Sequence, residues 1–433
     1  MIKILGCGDL FINKRLPQKG YPGLEELISV IDEYDAKFGN LETTVHNNEG
    51  YPACFLGGGW AMASSEVLQD VKKMGFNMVS FANNHAMDYS HKGLEATIRY
   101  LNESGLSFVG AGRNLMEASL PKYVECSEGR VGFIAITSSF HDSDAAGPSG
   151  GIVPGRPGVN PLRHKAVYQV TPDLYEALDK VAVSTGMNET FQWSIKNGYK
   201  KQTNDLHFRG MVFTEGEENV KISHPLKKDM DRTVRSIKEA KIQSDCVVVS
   251  VHSHQMSGDD ETPVDFIVEF CHNCIDAGAD VIFCHGAHIL RGIEVYHAKP
   301  VFYGLGDFVF HNEMMSALPY EFYEKYDVGA DCYDLVGIGM QTRSHGGTKG
   351  LSADPLAWQS IMAGIELTPD GVKAKIYPIE LHFKEGRTKR GWPTIASDSM
   401  ILERVSKMSK EKYGTEIFIE DNIGYINMKM KDI

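Results

Sequence analysis

Metal-ligating side chains follow short apolar runs at several places along the chain. In "SDCVVVSVHSH" and "GADVIFCHGAH", a buried-strand pattern stops at an H-x-H and an H-x-x-H spacing. The polar residues that end such runs are Asp9, Asn40, Glu42, Asn83, Asn84, His85, His252, His254, His285, His288 and Asp307. Asp, Glu, Asn and His together bind borderline or hard divalent metals, and these are numerous enough for two ions. A two-metal centre generates a nucleophile near neutral pH and clamps the reacting group.

Each of these residues also has a structural interpretation. A single histidine after a strand is more often a hydrogen-bonded loop residue than a ligand. Asp9 or Glu42 alone can cap a helix, and Asn83 can satisfy the backbone of a turn. The repetition after successive apolar runs, with the two histidine spacings, favours a shared metal site.

The elements between these runs predict how the site is assembled. Helix-like segments such as "GLEELISVIDEY" and "PVDFIVEFCHNCIDAG" alternate with the apolar runs, and several end in glycine. Strands alternating with helices indicate an α/β protein with buried parallel strands. Ligands bind at the carboxyl ends of such strands, which is where the polar residues stand.

Composition excludes several classes of protein. The 433 residues are 42% hydrophobic and 23% charged, which is ordinary globular usage. The net charge of −13 argues against nucleic-acid binding, which needs a basic surface. We expect no membrane span and no signal peptide, and the eight scattered cysteines suit reduced thiols, so cytoplasmic location is the default. The oligomeric state is not predicted.

The chain resembles the CapA family (poly-γ-glutamate capsule synthesis proteins), a branch of the calcineurin-like metallophosphoesterase superfamily. The matching stretches are "GDLF", "GNLETTV", "FANNHAMDY", "VSVHSH", "DAGADVIFCHGAHILRGIEVY" and "PVFYGLGDFVF", in the family's order. The resemblance implies an α/β fold, a four-layer metallophosphoesterase-like sandwich of two mixed β-sheets flanked by helices, with large insertions. It also implies a metal site at one edge that holds two divalent ions, with manganese, zinc and iron as candidates.

The resemblance also assigns roles to individual residues. Asp9 binds one ion and Glu42 lies in the stretch that supplies the bridging carboxylate. The ligands of the second ion are Asn84, His252 and His285, and His288 returns to the first. His85 matches a histidine that protonates the leaving group or contacts the substrate, and Asn40 and Asn83 are candidate substrate contacts.

The chain departs from the superfamily pattern in ways that bear on the first metal. Phe11 stands where a second ligand follows the first aspartate, and "GNLE" replaces the usual G-D-x-x-D. His254 stands where a small residue is expected, and it is a candidate ligand substitute or second proton carrier. Simple phosphomonoesterase activity is therefore less expected than in the superfamily at large.

We interpret the chain as one domain, 1–433, with two insertions. The segment 141–243 is either a lid, in which Arg156, Arg163 and His164 are candidate contacts for an anionic substrate, or a solvated loop. The segment 312–357 contains Arg343, His345 and Lys349, which either contact a carboxylate or phosphate beside the metal site or are ordinary polar surface residues. Both insertions suggest an anionic, small-molecule or peptide-like substrate that is larger than a simple phosphate ester, such as a peptide or a cell-wall-like conjugate.

Three functions use these parts. The leading hypothesis is a metal-dependent hydrolase, in which metal-activated hydroxide attacks a phosphoryl or acyl centre, including a γ-glutamyl-like one, with His85 as general acid. An alternative is a peptide epimerase or isomerase that abstracts a Cα proton, with histidines as base and acid. The third is a non-catalytic protein that binds metal and ligand.

Overall fold

The computed structural model describes residues 1–54, 58–203, 205–333, 335–368 and 371–428. The strands are β1 Ile2–Phe11, β2 Ala36–Asn40, β3 Thr44–Val45, β4 Met62–Ala63, β5 Met78–Ser80, β6 Ser107–Val109, β7 Ala111–Gly112, β8 Lys122–Cys126, β9 Gly129–Thr137, β10 Gly158–Val159, β11 His164–Val170, β12 Leu206–Phe208, β13 Met211–Glu215, β14 Val220–Pro225, β15 Cys246–His252, β16 Met256–Ser257, β17 Asp259–Pro263, β18 Val281–His285, β19 Ile293–Tyr296, β20 Lys299–Phe302, β21 Asp307–Phe310, β22 Gln359–Thr368, β23 Gly371–Glu380, β24 Thr394–Ile395, β25 Ile417–Glu420 and β26 Ile423–Ile426.

The helices are α1 Leu24–Ile31, α2 Val67–Lys73, α3 Ser90–Ser104, α4 Leu115–Ser119, α5 Pro172–Ser184, α6 Glu189–Lys196, α7 Lys227–Gln243, α8 Asp265–Ala277, α9 Tyr320–Lys325, α10 Val336–Arg343 and α11 Met400–Tyr413. Short 3₁₀ helices cover Ala330–Cys332, Leu351–Ala353 and Pro355–Trp358. The chain is therefore a mixed α/β protein, as the alternation of patterns predicts. Among the described residues, no helix has both the length and the apolar character needed to cross a membrane.

The larger sheet has the strand order β25-β26-β23-β22-β1-β2-β5-β6, with β21 paired to β1 and β24 to β23. Strands β21, β1, β2, β5 and β6 are parallel, whereas β22 and β23 continue the sheet in antiparallel pairing. Helices α1, α2 and α3 make the crossovers that parallel neighbours require. The carboxyl ends of β1, β2 and β5 therefore meet at one edge.

The second sheet has six strands in the order β19-β20-β18-β15-β9-β8. Its four central strands are parallel, and the two outer strands β8 and β19 are antiparallel. Strand β15, which contains the run "CVVVSVH", is buried along its whole length. A continuous β-branched run of this kind is typical of a strand covered on both faces.

Three of the hydrophobic clusters hold the two sheets and their helices together. One core joins the two sheets: Phe38 of the larger sheet stacks on Phe133 at 5.2 Å and on Phe283 at 6.3 Å between ring centres. The other two cores lie under α1–α3 on the larger sheet and under α7 and α8 on the second sheet. The sheets approach so closely that a Cβ on Gly6 would lie 2.2 Å from the ring of Phe283.

The segment 141–243 has structure of its own. It forms a small sheet in the order β12-β13-β11-β14, together with α5 and α6. Its last element, α7, packs in the core of the second sheet, where Ile237 and Ala240 are buried. That helix is therefore a core element rather than part of a lid.

The residues of this segment that were predicted to contact a substrate already have partners within the protein. Arg163 forms a two-pronged pair with the fully buried Asp229, at 2.8 and 3.0 Å. His164 stacks on Phe266 with 4.1 Å between ring centres. Arg156 donates to two backbone carbonyl oxygens of its own segment. The contacts of Arg163 and His164 join the insertion to α7 and α8, and the sequence pattern did not reveal them because those partners lie far along the chain.

Candidate metal centre

The carboxyl ends of strands from both sheets meet at one buried cluster. The larger sheet contributes Asp9 from β1, Glu42 after β2 and Asp307 at the start of β21. The second sheet contributes His252 at the end of β15 and His285 at the end of β18. Strand β15 is followed by His254 and β18 by His288, so the H-x-H and H-x-x-H spacings bring all four histidines to the same edge.

Loop geometry after β18 makes this convergence possible. Gly286 has a φ of 87°, and a Cβ there would lie 2.8 Å from ring atoms of His252 and His254. His288 itself has a φ of 55°, a conformation that a histidine adopts at a cost. The turn is therefore shaped to bring His288 back toward the cluster.

Glu42 lies at the centre of the cluster. Its Oε1 atom is 3.6 Å from Nε2 of His252, 3.8 Å from Nε2 of His254 and 3.7 Å from Nε2 of His288. Both carboxylate oxygens are buried and accept no hydrogen bond from any described residue. Burial raises the pKa of Glu42 well above its usual value. Such separations are too long for hydrogen bonds but suit donor atoms that share one cation.

Two of the facing histidines favour the neutral form that metal binding needs. Burial lowers the pKa of His252 well below its ordinary value, and the charge of neighbouring histidines adds to that effect. Burial lowers the pKa of His254 to about 3, with His288 as the next contributor. The Nε2 atoms of both rings have no hydrogen-bond partner among the described residues. Orphaned buried donors of this kind fit a divalent ion.

Asp9 is held by a well-defined set of neighbours. Its Oδ1 accepts from Asn40 Nδ2 at 2.8 Å and lies 3.2 Å from Nδ1 of His285, and its Oδ2 accepts from the backbone N–H of Gly286 at 3.0 Å. Burial raises the pKa of Asp9, but the contact with His285 and the charges of His252 and His288 outweigh it, so the net shift is downward. Asp9 is therefore an oriented carboxylate.

Asp307 orients His288 from behind. Its Oδ1 lies 3.0 Å from His288 Nδ1, which leaves Nε2 of that ring facing Glu42. Burial lowers the pKa of His288, but Asp307 and Glu42 raise it to about 10. Asp307 pairs in register with Asp9 across β21 and β1. In the sequence, Gly306-Asp307 follows an apolar run in the same way as Gly8-Asp9 does. The sequence analysis nevertheless predicted no role for Asp307.

Two overlapping groups of side chains offer one ligand atom each within 4.8 Å of one another. They are Glu42, His254 and His288, and Asp9, Glu42, His288 and Asp307. Glu42 and His288 belong to both groups. The donor set of carboxylates and imidazoles fits a divalent metal and does not distinguish manganese, zinc and iron.

A cavity of about 240 Å³ opens beside the cluster. His85, His254 and His288 line one side of it, and Phe11 and Phe310 are on its apolar wall. Arg343 of the second insertion also lines it, and the guanidinium has no hydrogen bond or ion pair with the described part of the chain. His345 is exposed and does not line this cavity.

His85 is held by a carboxylate that had no predicted role. Its Nδ1 atom lies 2.6 Å from Oδ2 of Asp88, which also accepts from the backbone N–H of Ala61 at 2.6 Å. Burial raises the pKa of Asp88, although His85 opposes that shift. Phe11 packs edge-on against the imidazole with 5.2 Å between ring centres. The ring is therefore fixed, with its Nε2 edge free to face the cavity.

A family model for the bacterial capsule synthesis protein PGA_cap matches residues 3–312, which cover every residue of the cluster. The chain belongs to this family. Membership confirms the resemblance to CapA proteins that the motifs predicted. The match ends where the second insertion begins, so Arg343 lies outside it.

Curated relatives agree with the family assignment. This PGA_cap chain is 31% identical to Uncharacterized protein y4sH of Sinorhizobium fredii over an alignment of 439 residues. That alignment covers 98% of this chain and 93% of y4sH. It is 26% identical over 286 residues to Capsule biosynthesis protein CapA of Bacillus anthracis, covering 65% and 52%. It is 25% identical over 305 residues to PGA biosynthesis protein CapA of Bacillus subtilis, covering 69% and 60%.

The three asparagines predicted for the PGA_cap site occupy different positions. Asn40 donates to Asp9 and lies 3.1 Å from Nδ1 of His252, and Asn83 donates to Asn40 Oδ1 at 3.2 Å and to Leu41 O at 2.8 Å. Both lie beneath the cluster and hold it, rather than facing the cavity. Asn84 is buried and lines a second cavity next to His254.

Proposed function

We propose that this PGA_cap chain is a metal-dependent hydrolase and that its two packed sheets and their helices form the four-layer sandwich of the metallophosphoesterases. The observation that carries the proposal is Glu42, a fully buried carboxylate without a hydrogen-bond donor that faces three imidazole nitrogens. Leaving such a group unpaired in the interior is costly unless a cation completes the site. The names of the relatives from Bacillus, which concern capsule and PGA biosynthesis, agree with a carboxylate-rich, amide-linked substrate.

The residues that would hold two divalent ions are Asp9, Glu42, Asn84, His252, His254, His285 and His288, and Asp307 would orient His288. A bound divalent ion supplies Lewis-acid activation of water and polarises an acyl or phosphoryl oxygen. Glu42 belongs to both ligand groups, so its carboxylate would be available to both ions. His254 would compensate for Phe11, since its Nε2 atom lies 3.8 Å from Oε1 of Glu42 and the side chains of His254 and Phe11 line the same cavity.

The chain's own residues supply the rest of the chemistry. His85 is the general acid: Asp88 holds its Nδ1 edge, and Nε2 delivers a proton to the leaving group in the cavity. Arg343 binds an anionic group of the substrate, because its unpaired guanidinium lines the same cavity. Phe11 and Phe310 limit the access of water to the reacting bond.

The first test is the metal content of the purified protein, measured by elemental analysis. We expect about two ions per chain in the wild type. We expect fewer in both His252→Ala and His288→Ala, while His297→Ala, which replaces an exposed histidine, keeps the wild-type content. An absence of metal from all samples, including protein purified with added manganese or zinc, contradicts the proposal.

The second test is turnover. Metal-loaded protein is assayed with an aryl phosphate and with glutamyl peptides, beside His85→Ala and a chelator-treated sample. Loss of hydrolysis in both treatments supports the proposal. Removing a general acid lowers kcat by about 10²–10⁴-fold, so residual turnover is measurable.

A specific arrangement also favours peptide epimerisation as a second candidate. His85 and His254 line the same cavity, so two imidazoles face one bound substrate. An epimerase uses such a pair as base and acid at Cα. Solvent deuterium that enters a peptide without cleavage supports this candidate over hydrolysis.

A further inference from the structure

Helices α5 and α6 of the first insertion leave most of their apolar surface uncovered. Ala182 is the one buried residue of α5, and α6 has no buried residue along its eight positions. Helices this short are marginal in water unless an apolar face packs against another element. Helix α5 packs on β12 and β13, whereas the remaining surface of both helices is open to a partner.

A groove of about 580 Å³ lies between these two helices. None of its described lining residues borders the two cavities beside the metal cluster. Its apolar side chains include Tyr175, Val183, Phe191 and Ile195, and Val183 on the α5 wall is 74% exposed. Apolar surface that stays exposed inside a polar rim is typical of a protein–protein contact.

The charged side chains that line this groove are acidic. They are Asp179, Glu189 and Asp205, all three exposed, and none forms an ion pair with another residue in the described part of the chain. Unpaired carboxylates around apolar side chains attract a partner that presents cations and apolar rings together. The groove therefore specifies the charge of the surface that fits it.

Residues 193–201, which we call the basic turn, present that chemistry at the end of α6. Trp193 and Tyr199 stack with 5.6 Å between ring centres, and their side chains are 57% and 75% exposed. Lys200 lies 4.9 Å from the ring centre of Phe191, so the basic turn borders the groove. Three lysines of the turn have no ion pair to any carboxylate that the structure describes: Lys196, Lys200 and Lys201.

The distribution of charge favours a second copy of this chain as the partner. Residues 164–225 contain seven Lys or Arg and eight Asp or Glu, a net charge of −1, whereas the whole chain carries −13. Two copies repel each other over most of their surface, but this unit is nearly neutral. A two-fold contact through it also brings the acidic groove of each copy to the basic turn of the other.

We propose that this protein forms a two-fold symmetric dimer through its first insertion, with the basic turn of each copy seated in the acidic groove of the other. The stacked rings of Trp193 and Tyr199 meet the apolar side chains of the groove, and the lysines meet its carboxylates. The dimer supplies the burial that α5 and α6 lack within one chain. It depends neither on the metal cluster nor on any reaction there.

Sedimentation velocity of the full chain at concentrations from about 1 to 100 µM tests the dimer. We expect a dimer in the wild type and a dissociation constant at least about tenfold higher in Trp193→Ser, because truncating a central aromatic residue has a large effect on an interface. Met400→Ser is the matched control, since Met400 is an apolar residue of α11 that is 68% exposed. A monomer at every concentration, or a dimer that Trp193→Ser leaves unchanged, overturns the proposal.

Charge reversal tests which surfaces meet. One variant carries Asp179→Lys and Glu189→Lys in the groove, and the other carries Lys196→Glu and Lys200→Glu in the basic turn. Each is expected to self-associate at least about tenfold more weakly than wild type, whereas an equimolar mixture forms a heterodimer because both contacts again join opposite charges. A mixture that remains monomeric overturns the pairing of groove and turn. If either variant misfolds, salt decides: the wild-type dimer weakens with added NaCl, and a salt-independent dimer overturns the pairing.

Discussion

The two sheets bring chemically different ligands to the same edge. Strand ends of the larger sheet contribute oxygen donors, namely Asp9, Glu42 and Asp307, whereas those of the second sheet contribute the nitrogen donors of His252, His285 and the two histidines that follow. Neither set encloses an ion by itself. The proposed metal centre therefore lies at the interface between the two sheets, so metal binding and sheet packing are expected to stabilise each other.

The largest effect on metal binding is expected from replacing Glu42, the oxygen donor at the centre of the cluster. We expect Glu42→Gln to lose metal and to lower kcat/KM by about 10³-fold or more, because both ligand groups share this carboxylate. The metal-free variant is expected to be at least as stable as metal-free wild type, since a neutral amide replaces a buried, unpaired carboxylate. Elemental analysis and urea unfolding test both parts, with the exposed Glu49→Gln as control. Full metal content in Glu42→Gln contradicts the assignment.

Asp307→Asn tests a contact between the two sets of donors, because Asp307 belongs to the larger sheet and contacts His288, which follows a strand of the second sheet. We expect metal affinity to fall about 10–100-fold, the usual effect of losing a carboxylate that orients a metal-binding histidine. Competition with a chelator of known affinity measures the change. A loss as complete as that of Glu42→Gln identifies Asp307 as a ligand instead of a positioning residue.

Asp229→Asn tests a region outside both sets and is expected to leave metal content unchanged. Burial raises the pKa of Asp229, but Arg163 and Arg232 outweigh it, so the folded-state pKa lies below its unfolded value of about 3.9. The carboxylate therefore stabilises the fold above that value, and the contribution is lost as the pH falls through the folded-state pKa. We expect a loss of about 3 kcal/mol at neutral pH.

Urea unfolding near neutral pH and in acid measures that difference. The gap between wild type and Asp229→Asn is expected to shrink as the pH falls, because the wild-type carboxylate becomes protonated. Asp231→Asn provides a matched control, since its pair with Lys227 is exposed. A gap that is constant with pH, or a change in metal content, contradicts the prediction.

Much of the cluster could be predicted from the sequence because each strand carries its own signal. A run such as "CVVVSVH" indicates a buried strand, and a polar residue that ends it lies at the ligand-binding edge. Local patterns could not show which side chains meet across the chain. The hydrogen bonds of Asn40 to Asp9 and of Arg163 to Asp229 join residues far apart in sequence, so these roles became evident in the structure.

The insertion shows the same limit for secondary structure. Strands β11, β13 and β14 are mostly half-exposed, so they lack the continuous apolar run that marks β15. Their alternation is weak, so the periodicity does not indicate strands there. Helix α7 falls within the predicted insertion 141–243, although its buried stripe packs in the core.

The pairing of β21 with β1 has a consequence for the order of events during synthesis. Asp9 of β1 and Asp307 of β21 are register partners, so β1 cannot form this pairing until the much later β21 has been synthesised. At about 5–20 residues per second, the ribosome needs on the order of tens of seconds to make the intervening chain. The nascent protein therefore cannot assemble the full cluster until that strand emerges, so the proposed metal site is completed only after β21 has been made.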